Sequence, residues 1–151
     1  MVPPFDIQIE VETPRPKVSR ARLQKNIRAI LRALGWKKAA LSVSLVSDRK
    51  IRSVNKRYLN HDYATDVISF SQIEGRPLGG KPERPFLGDI VISLETTARQ
   101  AAQFGNSFDD ELYFYLCHGI LHLMGWDDST RKAALKMEAK QKKILRQIGL
   151  R

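Results

Sequence analysis

The sequence predicts a single α+β domain in which about five helices pack on a small mixed four-stranded sheet. Two observations lead to this prediction. Segments with the period of a strand and segments with the period of a helix follow one another as strand, helix, strand, helix, strand, strand and then helices. The chain has 151 residues, a length suited to one buried core, so residues 1–151 are expected to form one domain.

The first part of the chain supplies two strands with a helix between them. Apolar and polar residues alternate over residues 5–12 and again over residues 40–47, which is the pattern of a half-buried strand. A helix is predicted from about residue 18 to residue 34, with Ser19 as its N-cap and Gly35 at its end. Its apolar residues share one stripe, and its Lys and Arg residues face outward.

The middle of the chain holds a short helix and a third strand. Asp48 is expected to cap a helix that runs to Tyr58, and the polar residues 60–65 form a loop before a strand at residues 67–70. Residues 72–86 contain several Gly and Pro residues, which predicts a mobile loop. Such a loop either admits and covers a substrate or is a plain hairpin connection.

The last part of the chain supplies a fourth strand and three helices. The strand covers residues 87–94, and the helix after it ends at Gly105. Ser107 is expected to cap the next helix, whose first-turn carboxylates suit the helix dipole better than a ligand role. The final helix is predicted to open at Ser129. Its inward face is expected to hold Leu135, Met137, Ile144, Leu145 and Ile148.

The formal net charge of +10 is unevenly distributed along the chain. Residues 1–60 carry 14 Lys and Arg against 4 Asp and Glu, residues 61–128 carry 4 against 11, and residues 129–151 carry 8 against 1. Basic surfaces bind phosphate backbones through counterion release, and an acidic centre attracts a cation. The pattern favours RNA as a partner over the alternative in which Lys and Arg only solvate helix faces.

The composition also bears on where the protein works. No stretch reaches the ~18 apolar residues of a membrane span, and the N-terminal stretch is not that of a signal peptide. Cys117 is the only cysteine, which excludes an internal disulfide and fits a reducing compartment. We therefore expect a cytoplasmic protein with no membrane partner. Cys117 itself is expected to be a small buried hydrophobe.

Two histidines four residues apart, His118 and His122, lie in an apolar run. An i, i+4 pair shares one face of a helix, so the two imidazoles can converge on one divalent ion. Gly125 can take the left-handed conformation that ends a helix, after which Asp127 or Asp128 can supply a third ligand. The alternative is a pair of hydrogen-bonded core histidines. The helix breaker, the carboxylates and the apolar surroundings favour a metal site on a buried helix.

The segment HGILHLMGWDD, residues 118–128, resembles the signature of the YbeY family of single-domain zinc endoribonucleases. VNKRYLNHDYATDVISF at residues 54–70 and LGDIVIS at residues 87–93 are similar to two further family segments, in the same order. The resemblance implies the same architecture, one zinc ion and no small-molecule cofactor. It also implies cleavage of single-stranded RNA in the bacterial cytoplasm, with a part in ribosome quality control and in maturing the 3′ end of the RNA of the small ribosomal subunit.

Two positions depart from the family pattern. Asp128 stands where the family has its third metal-binding histidine, a change that zinc tolerates because it accepts carboxylate oxygen beside imidazole nitrogen. The added negative charge makes the ion a weaker Lewis acid. Leu59 stands where the family often has an arginine thought to contribute to catalysis, and Arg57 points nearly the opposite way on a helix. Both changes predict weaker catalysis.

The resulting hypothesis is a metal-dependent hydrolase that acts on RNA. His118, His122 and Asp128 bind one Zn²⁺, and His118 acts in catalysis together with a zinc-bound water. His61, the remaining histidine, is expected to be a solvent-facing loop residue and not a ligand. Basic residues of the short helix are predicted to bind RNA, namely Arg49, Lys56 and Arg57.

Two other functions compete with this hypothesis. A zinc peptidase of the helical type needs a glutamate immediately after the first histidine, and the chain has Gly119 there. A catalytically inactive RNA-binding or ribosome-binding domain is supported by Asp128 and Leu59. Of the two, the peptidase has the weaker support.

Overall fold

A computed structural model describes residues 3–73 and 84–150 of the chain. Most of the predicted loop at residues 72–86, including all of residues 74–83, lies outside the described residues. The strands are β1 (Phe5–Val11), β2 (Ala39–Val46), β3 (Val67–Ser71) and β4 (Phe86–Ser93). The helices are α1 (Arg20–Ala33), α2 (Asp48–Leu59), α3 (Leu94–Phe104), α4 (Phe108–Leu123) and α5 (Arg131–Gln147). The predicted α+β fold class is confirmed.

The four strands form one mixed sheet in the order β1-β2-β4-β3. β1 and β4 both run parallel to β2, while β3 runs antiparallel to β4. Val43 at the centre of β2 pairs with Ile9 on one side and Ile90 on the other. α1 connects β1 to β2, because two parallel neighbours need a crossover. The order places β3 at the edge of the sheet, where it meets α4.

Helix α4 packs directly on β3 and β4. At Gly119 an added Cβ would lie 2.9 Å from Ile90 Cγ2 and 3.2 Å from Ser69 Oγ, so only a glycine permits this approach. Two β3 hydroxyls also donate to carbonyls of the helix: Ser69 Oγ to Gly119 O at 3.2 Å, and Ser71 Oγ to Leu123 O at 2.8 Å. These contacts fix the part of α4 that carries the two histidines.

Three local predictions are wrong. The N-cap of α2 is Ser47, whose side chain accepts from Lys50 N, and not Asp48. The Asp48 carboxylate instead accepts from two hydroxyls near the start of α3 and pairs with Arg99 Nη1 at 2.7 Å. Burial raises the pKa of Asp48, but these hydrogen bonds outweigh it and lower the pKa below its ordinary value.

The other two errors concern α5. It begins at Arg131, with Thr130 as its N-cap, and not at Ser129. Leu135, expected on the inward face, is 56 % exposed. The buried stripe of the helix is set by Met137, Ile144 and Leu145, and Leu135 lies about 200° around the helix from Met137.

Across the described residues, no helix has both the length and the apolar character needed to cross a membrane.

Candidate metal centre

The two histidines lie on a helix whose ends are set as the sequence predicts. The side chain of Ser107 accepts from Asp110 N and caps the start of α4. At the other end Gly125 has φ 93°, a left-handed conformation in which Gly125 N donates to His122 O at 3.0 Å. The chain therefore reverses immediately after the helix. This reversal returns Asp128 to the histidine face.

Three side chains converge at this end of α4. The Nε2 atoms of His118 and His122 are 3.0 Å apart, and Asp128 Oδ2 lies 3.4 Å from each of them. Four ligands at the 2.0–2.1 Å of zinc sites lie about 3.3–3.4 Å apart at the corners of a tetrahedron. Two of the three separations match that edge, and the third is slightly shorter. The arrangement fits three corners around one small divalent ion.

The outer ring nitrogen of His122 is held by the turn that follows the helix. His122 Nδ1 lies 2.9 Å from Trp126 O. A carbonyl oxygen only accepts, so Nδ1 carries the proton and donates to it. A neutral imidazole with its proton on Nδ1 has a free lone pair on Nε2. The Gly125 reversal thus orients the ring of His122 as well as returning Asp128.

The outer ring nitrogen of His118 is held by a residue of α5. His118 Nδ1 lies 3.3 Å from Oε1 of Gln141, whose side chain is buried. The amide orientation is fixed, because Gln141 Nε2 donates to Phe114 O at 3.2 Å. Oε1 must then accept from Nδ1–H of His118, and Nε2 of His118 also has a free lone pair. Gln141 was not predicted from the sequence as a partner of His118.

The convergence of three electron-pair donors suits a cation. Two imidazole Nε2 atoms and a carboxylate oxygen meet within 3.4 Å. Burial and the neighbouring His122 lower the pKa of His118 below its ordinary value, which favours the neutral, metal-binding form of this ring. Nitrogen and carboxylate oxygen are ligands that zinc accepts. The donor set therefore fits a divalent transition metal.

The structure brings Asp128, and not Asp127, to the two histidines. Asp127 turns the other way: Ser129 N donates to its Oδ1 at 3.0 Å and Ser129 Oγ to its Oδ2 at 2.6 Å. These bonds from Ser129 lower the pKa of Asp127. Among the described residues, His118, His122 and Asp128 form a group whose ligand atoms all lie within 4.8 Å of one another.

Other nearby candidates are engaged elsewhere. Cys117 is fully buried, and burial raises the pKa of its thiol to about 12, as expected for an inert core residue. Of the carboxylates in the first turn of α4, Asp109 is paired with Arg22, and Glu111 Oε1 accepts from Asn106 Nδ2 at 2.7 Å. None of these groups is part of the cluster formed by His118, His122 and Asp128.

The three convergent groups open into a pocket of about 470 Å³. Its far side is formed by the end of α2, the loop after it and strand β3, including Leu59, His61 and Tyr63. His61 is exposed, as predicted, yet it lines this pocket. Leu59, at the position where the sequence departs from the family pattern, lines it too. The pocket wall at that point is thus aliphatic and carries no guanidinium from residue 59.

The three basic residues predicted to bind RNA lie on α2, whose end borders this pocket. Arg49 lines a neighbouring cavity together with Arg52 and Tyr63. Lys56 Nζ lies 4.0 Å from Asp62 Oδ2, and the Arg57 guanidinium carbon lies 5.4 Å from the centre of the Tyr58 ring. Their contact with RNA stays a prediction.

The geometry at Gly119 bears on the peptidase hypothesis. A Cβ at this position would point at Ile90 in β4 and Ser69 in β3. A glutamate in its place would be directed into the sheet and not toward the pocket. The position that a helical zinc peptidase uses for its general base is unavailable here for that role.

Comparison with known proteins gives a consistent result. The family model described as endoribonuclease YbeY matches residues 8–149. A Symbiobacterium thermophilum protein named endoribonuclease YbeY is 49 % identical over 113 residues, covering 74 % of this chain and 72 % of the relative. One of the same name from Geobacter metallireducens is 43 % identical over 132 residues, covering 86 % and 87 %. A solution structure of a Thermotoga maritima protein aligns with a TM-score of 0.63 at 27 % identity, covering 94 % and 88 %.

Proposed function

The chain belongs to the endoribonuclease YbeY family, and on that basis we propose that it cuts RNA with one zinc ion held by His118, His122 and Asp128. The family establishes a metal-dependent endoribonuclease, a hydrolase of RNA. The identity of the metal, the three ligands and the RNA that is cut are the proposed parts.

One observation carries the assignment of the ligands. Two imidazole Nε2 atoms and one carboxylate oxygen face a common centre, with separations of 3.0 Å and 3.4 Å. Each imidazole is held in the required tautomer by a different acceptor, Gln141 for His118 and Trp126 O for His122. Such outer partners are the usual companions of metal-binding histidines.

The bound zinc would lower the pKa of a water molecule and polarise a phosphate oxygen of the substrate. His118 then acts in catalysis as a ligand and not as a proton donor, because its only proton is donated to Gln141. Asp128 contributes a negative charge where a histidine would contribute none, which reduces the electron-withdrawing strength of the centre. The pocket beside these residues has room for a nucleotide.

We propose single-stranded RNA as the substrate, and the 3′ end of ribosomal RNA on the small ribosomal subunit as its source in the bacterial cytoplasm. The excess of Lys and Arg in residues 1–60 and 129–151 supports a polyanionic partner. Within that surface, we propose contacts to the phosphate backbone from Arg49, Lys56 and Arg57, which lie on the helix that borders the pocket.

An inactive RNA-binding domain is the rival function. Its support from Asp128 is reduced, because this carboxylate and the two histidines form a triangle of ligand atoms with the spacing of a zinc site. Its support from Leu59 remains, since this side chain lines the pocket without a charge. The two functions differ in one measurable respect, which is whether RNA is cut when the metal is present.

The test pairs zinc content with RNA cleavage. The wild type is expected to hold one zinc per chain by elemental analysis and to cut single-stranded RNA in a reaction that a chelator stops. His118→Ala is expected to lose both properties. His61→Ala is the matched histidine control and is expected to keep its zinc, since His61 lies outside the triangle. Cleavage that continues unchanged in His118→Ala would refute the proposal.

A further inference from the structure

Exposed apolar side chains are concentrated beside the metal centre. Among the described residues, six large hydrophobic side chains are exposed. Three of them fall within six consecutive positions: Tyr58 at 60 %, Leu59 at 44 % and Tyr63 at 54 %. His61 lies between them and is exposed too. We call Tyr58, His61 and Tyr63 the aromatic rim.

Two rings of the aromatic rim, those of His61 and Tyr63, line the pocket. His61 and Tyr63 stack with ring centres 5.3 Å apart and planes 13° apart, and Tyr63 Oη lies 3.2 Å from His61 Nδ1. Tyr58 meets Phe70 edge to face, with centres 5.6 Å apart. The rim is therefore held by contacts of its own. Binding a ligand costs side-chain entropy, and a ring that is already held by its neighbours loses less of it than a freely rotating tyrosine.

Charges of both signs lie around the rim, and the acids among them are paired with bases. Asp62, the acid within the rim segment, accepts from Arg52 Nε at 2.8 Å and lies 4.0 Å from Lys56 Nζ. Tyr63 lines the pocket of the candidate metal centre and also a second cavity, which holds Arg49 and Arg52 together with Asp48 and Asp62. Because Asp48 is paired with Arg99 and Asp62 with Arg52, Arg49 is left to attract the phosphates of an RNA strand that crosses Tyr63.

We propose that the aromatic rim is a base-stacking subsite, at which an unpaired nucleobase of the RNA stacks on Tyr63 and positions the neighbouring phosphate toward the metal centre. This inference rests on the proposed function of that centre. Single-stranded nucleic acids are bound by stacking bases on aromatic rings while cations follow the backbone. Double-stranded RNA keeps its bases paired and cannot use such a subsite, so the rim selects unpaired segments.

The test compares probes with and without bases. The probes are a short 2′-O-methyl oligoadenylate and the same backbone with abasic positions, both measured by fluorescence anisotropy on the zinc-loaded chain. Each probe is checked for cleavage after the titration. Tyr63→Leu removes the ring and keeps an apolar side chain, while Tyr63→Trp keeps an aromatic face. Phe104→Leu is the matched control, because Phe104 is 65 % exposed and lines a different cavity beside α5.

We expect Tyr63→Leu to weaken binding of the oligoadenylate by about 5- to 150-fold, the range for loss of one stacked base. Its binding of the abasic probe should match that of the wild type. Tyr63→Trp and Phe104→Leu should bind both probes within about twofold of the wild type. Thermal melting of each variant checks that it is folded.

Two results would overturn the subsite. One is an oligoadenylate affinity that Tyr63→Leu leaves unchanged, and the other is an equal loss for both probes, which would indicate a general electrostatic or structural effect. The cleavage assay separates this outcome from failure of the proposed function. A wild type that binds bases through Tyr63 and cuts no RNA keeps the subsite and refutes the enzyme. A wild type that cuts RNA while Tyr63 plays no role in binding keeps the enzyme and refutes the subsite.

Discussion

The two halves of the metal centre are built differently. His118 and His122 come from a buried helix, and the outer nitrogen of each ring has an acceptor 3.3 Å or 2.9 Å away. Asp128 comes from the turn after that helix, its side chain is 41 % exposed, and its contacts are with the two imidazoles. The helical half is held by partners elsewhere in the fold. The loop half is held mainly by its contacts with the two imidazoles.

This difference indicates where a ligand residue can be replaced by one of another type. A ligand on a packed helix depends on distant partners in the fold, so its geometry is fixed by many residues. A ligand on an exposed turn depends on few residues, so its side chain can change type with less disturbance. The departure from the family pattern falls on the exposed turn at Asp128, while both helical histidines match.

The largest expected effect separates the two halves directly. His122→Ala should lower zinc affinity by more than the roughly 10–100-fold typical for loss of an outer partner, because it removes one of the two ring nitrogens that the helix holds in place. Asp128→Ala should lose less, since water reaches that exposed corner. Competition with a calibrated chelator measures both. If Asp128→Ala lost as much affinity as His122→Ala, the proposed asymmetry would be wrong.

The second effect concerns the support of the helical half. Gln141→Leu keeps the volume of the side chain but leaves Nδ1–H of His118 without an acceptor, and zinc affinity should fall by about 10- to 100-fold. Gln141→Glu keeps an oxygen for that bond and should restore affinity to within about threefold.

A purely structural role for Gln141 would give a different result. NMR of the metal-free wild type should show the His118 ring with its proton on Nδ1, and Gln141→Leu should show a mixture of tautomers. Equal affinities for Gln141→Leu and the wild type, with an unchanged tautomer, would remove Gln141 from the site.

The smallest effect distinguishes the two neighbouring aspartates of the loop half. Asp127 holds Ser129 through two hydrogen bonds and does not face the histidines. Asp127→Ala should therefore lower the melting temperature modestly and change zinc affinity by less than about threefold, since it removes a turn and not a ligand. Asp127→Ala losing zinc as strongly as Asp128→Ala would reverse this assignment.

The local parts of the centre were predictable from the sequence. The i, i+4 spacing of the histidines, the cap at Ser107 and the left-handed Gly125 each follow from a few consecutive residues. The order of strands and helices followed from periodicity for the same reason. The choice between Asp127 and Asp128 did not, because both follow the same turn and only their side-chain directions differ.

The parts that come from packing were not predictable. Gln141 lies on α5, 23 residues beyond the histidine that it supports, and nothing in its local sequence marks it as a partner of His118. His61 and Tyr63 of the aromatic rim share a pocket with His118 and His122 because the fold brings the loop after α2 next to α4. The predictions for Leu135 and Asp48 were wrong for a related reason. Contacts with other elements decide which face of α5 is buried and which residue caps α2.

X-ray absorption at the zinc K-edge of the zinc-loaded chain is the most direct measurement of the central claim. We expect one zinc with two imidazole nitrogens and the remaining ligands oxygen, and one imidazole fewer for any zinc retained by His122→Ala. A sulfur ligand, or a zinc site with no imidazole in the wild type, would contradict the assignment of His118, His122 and Asp128 as the metal centre.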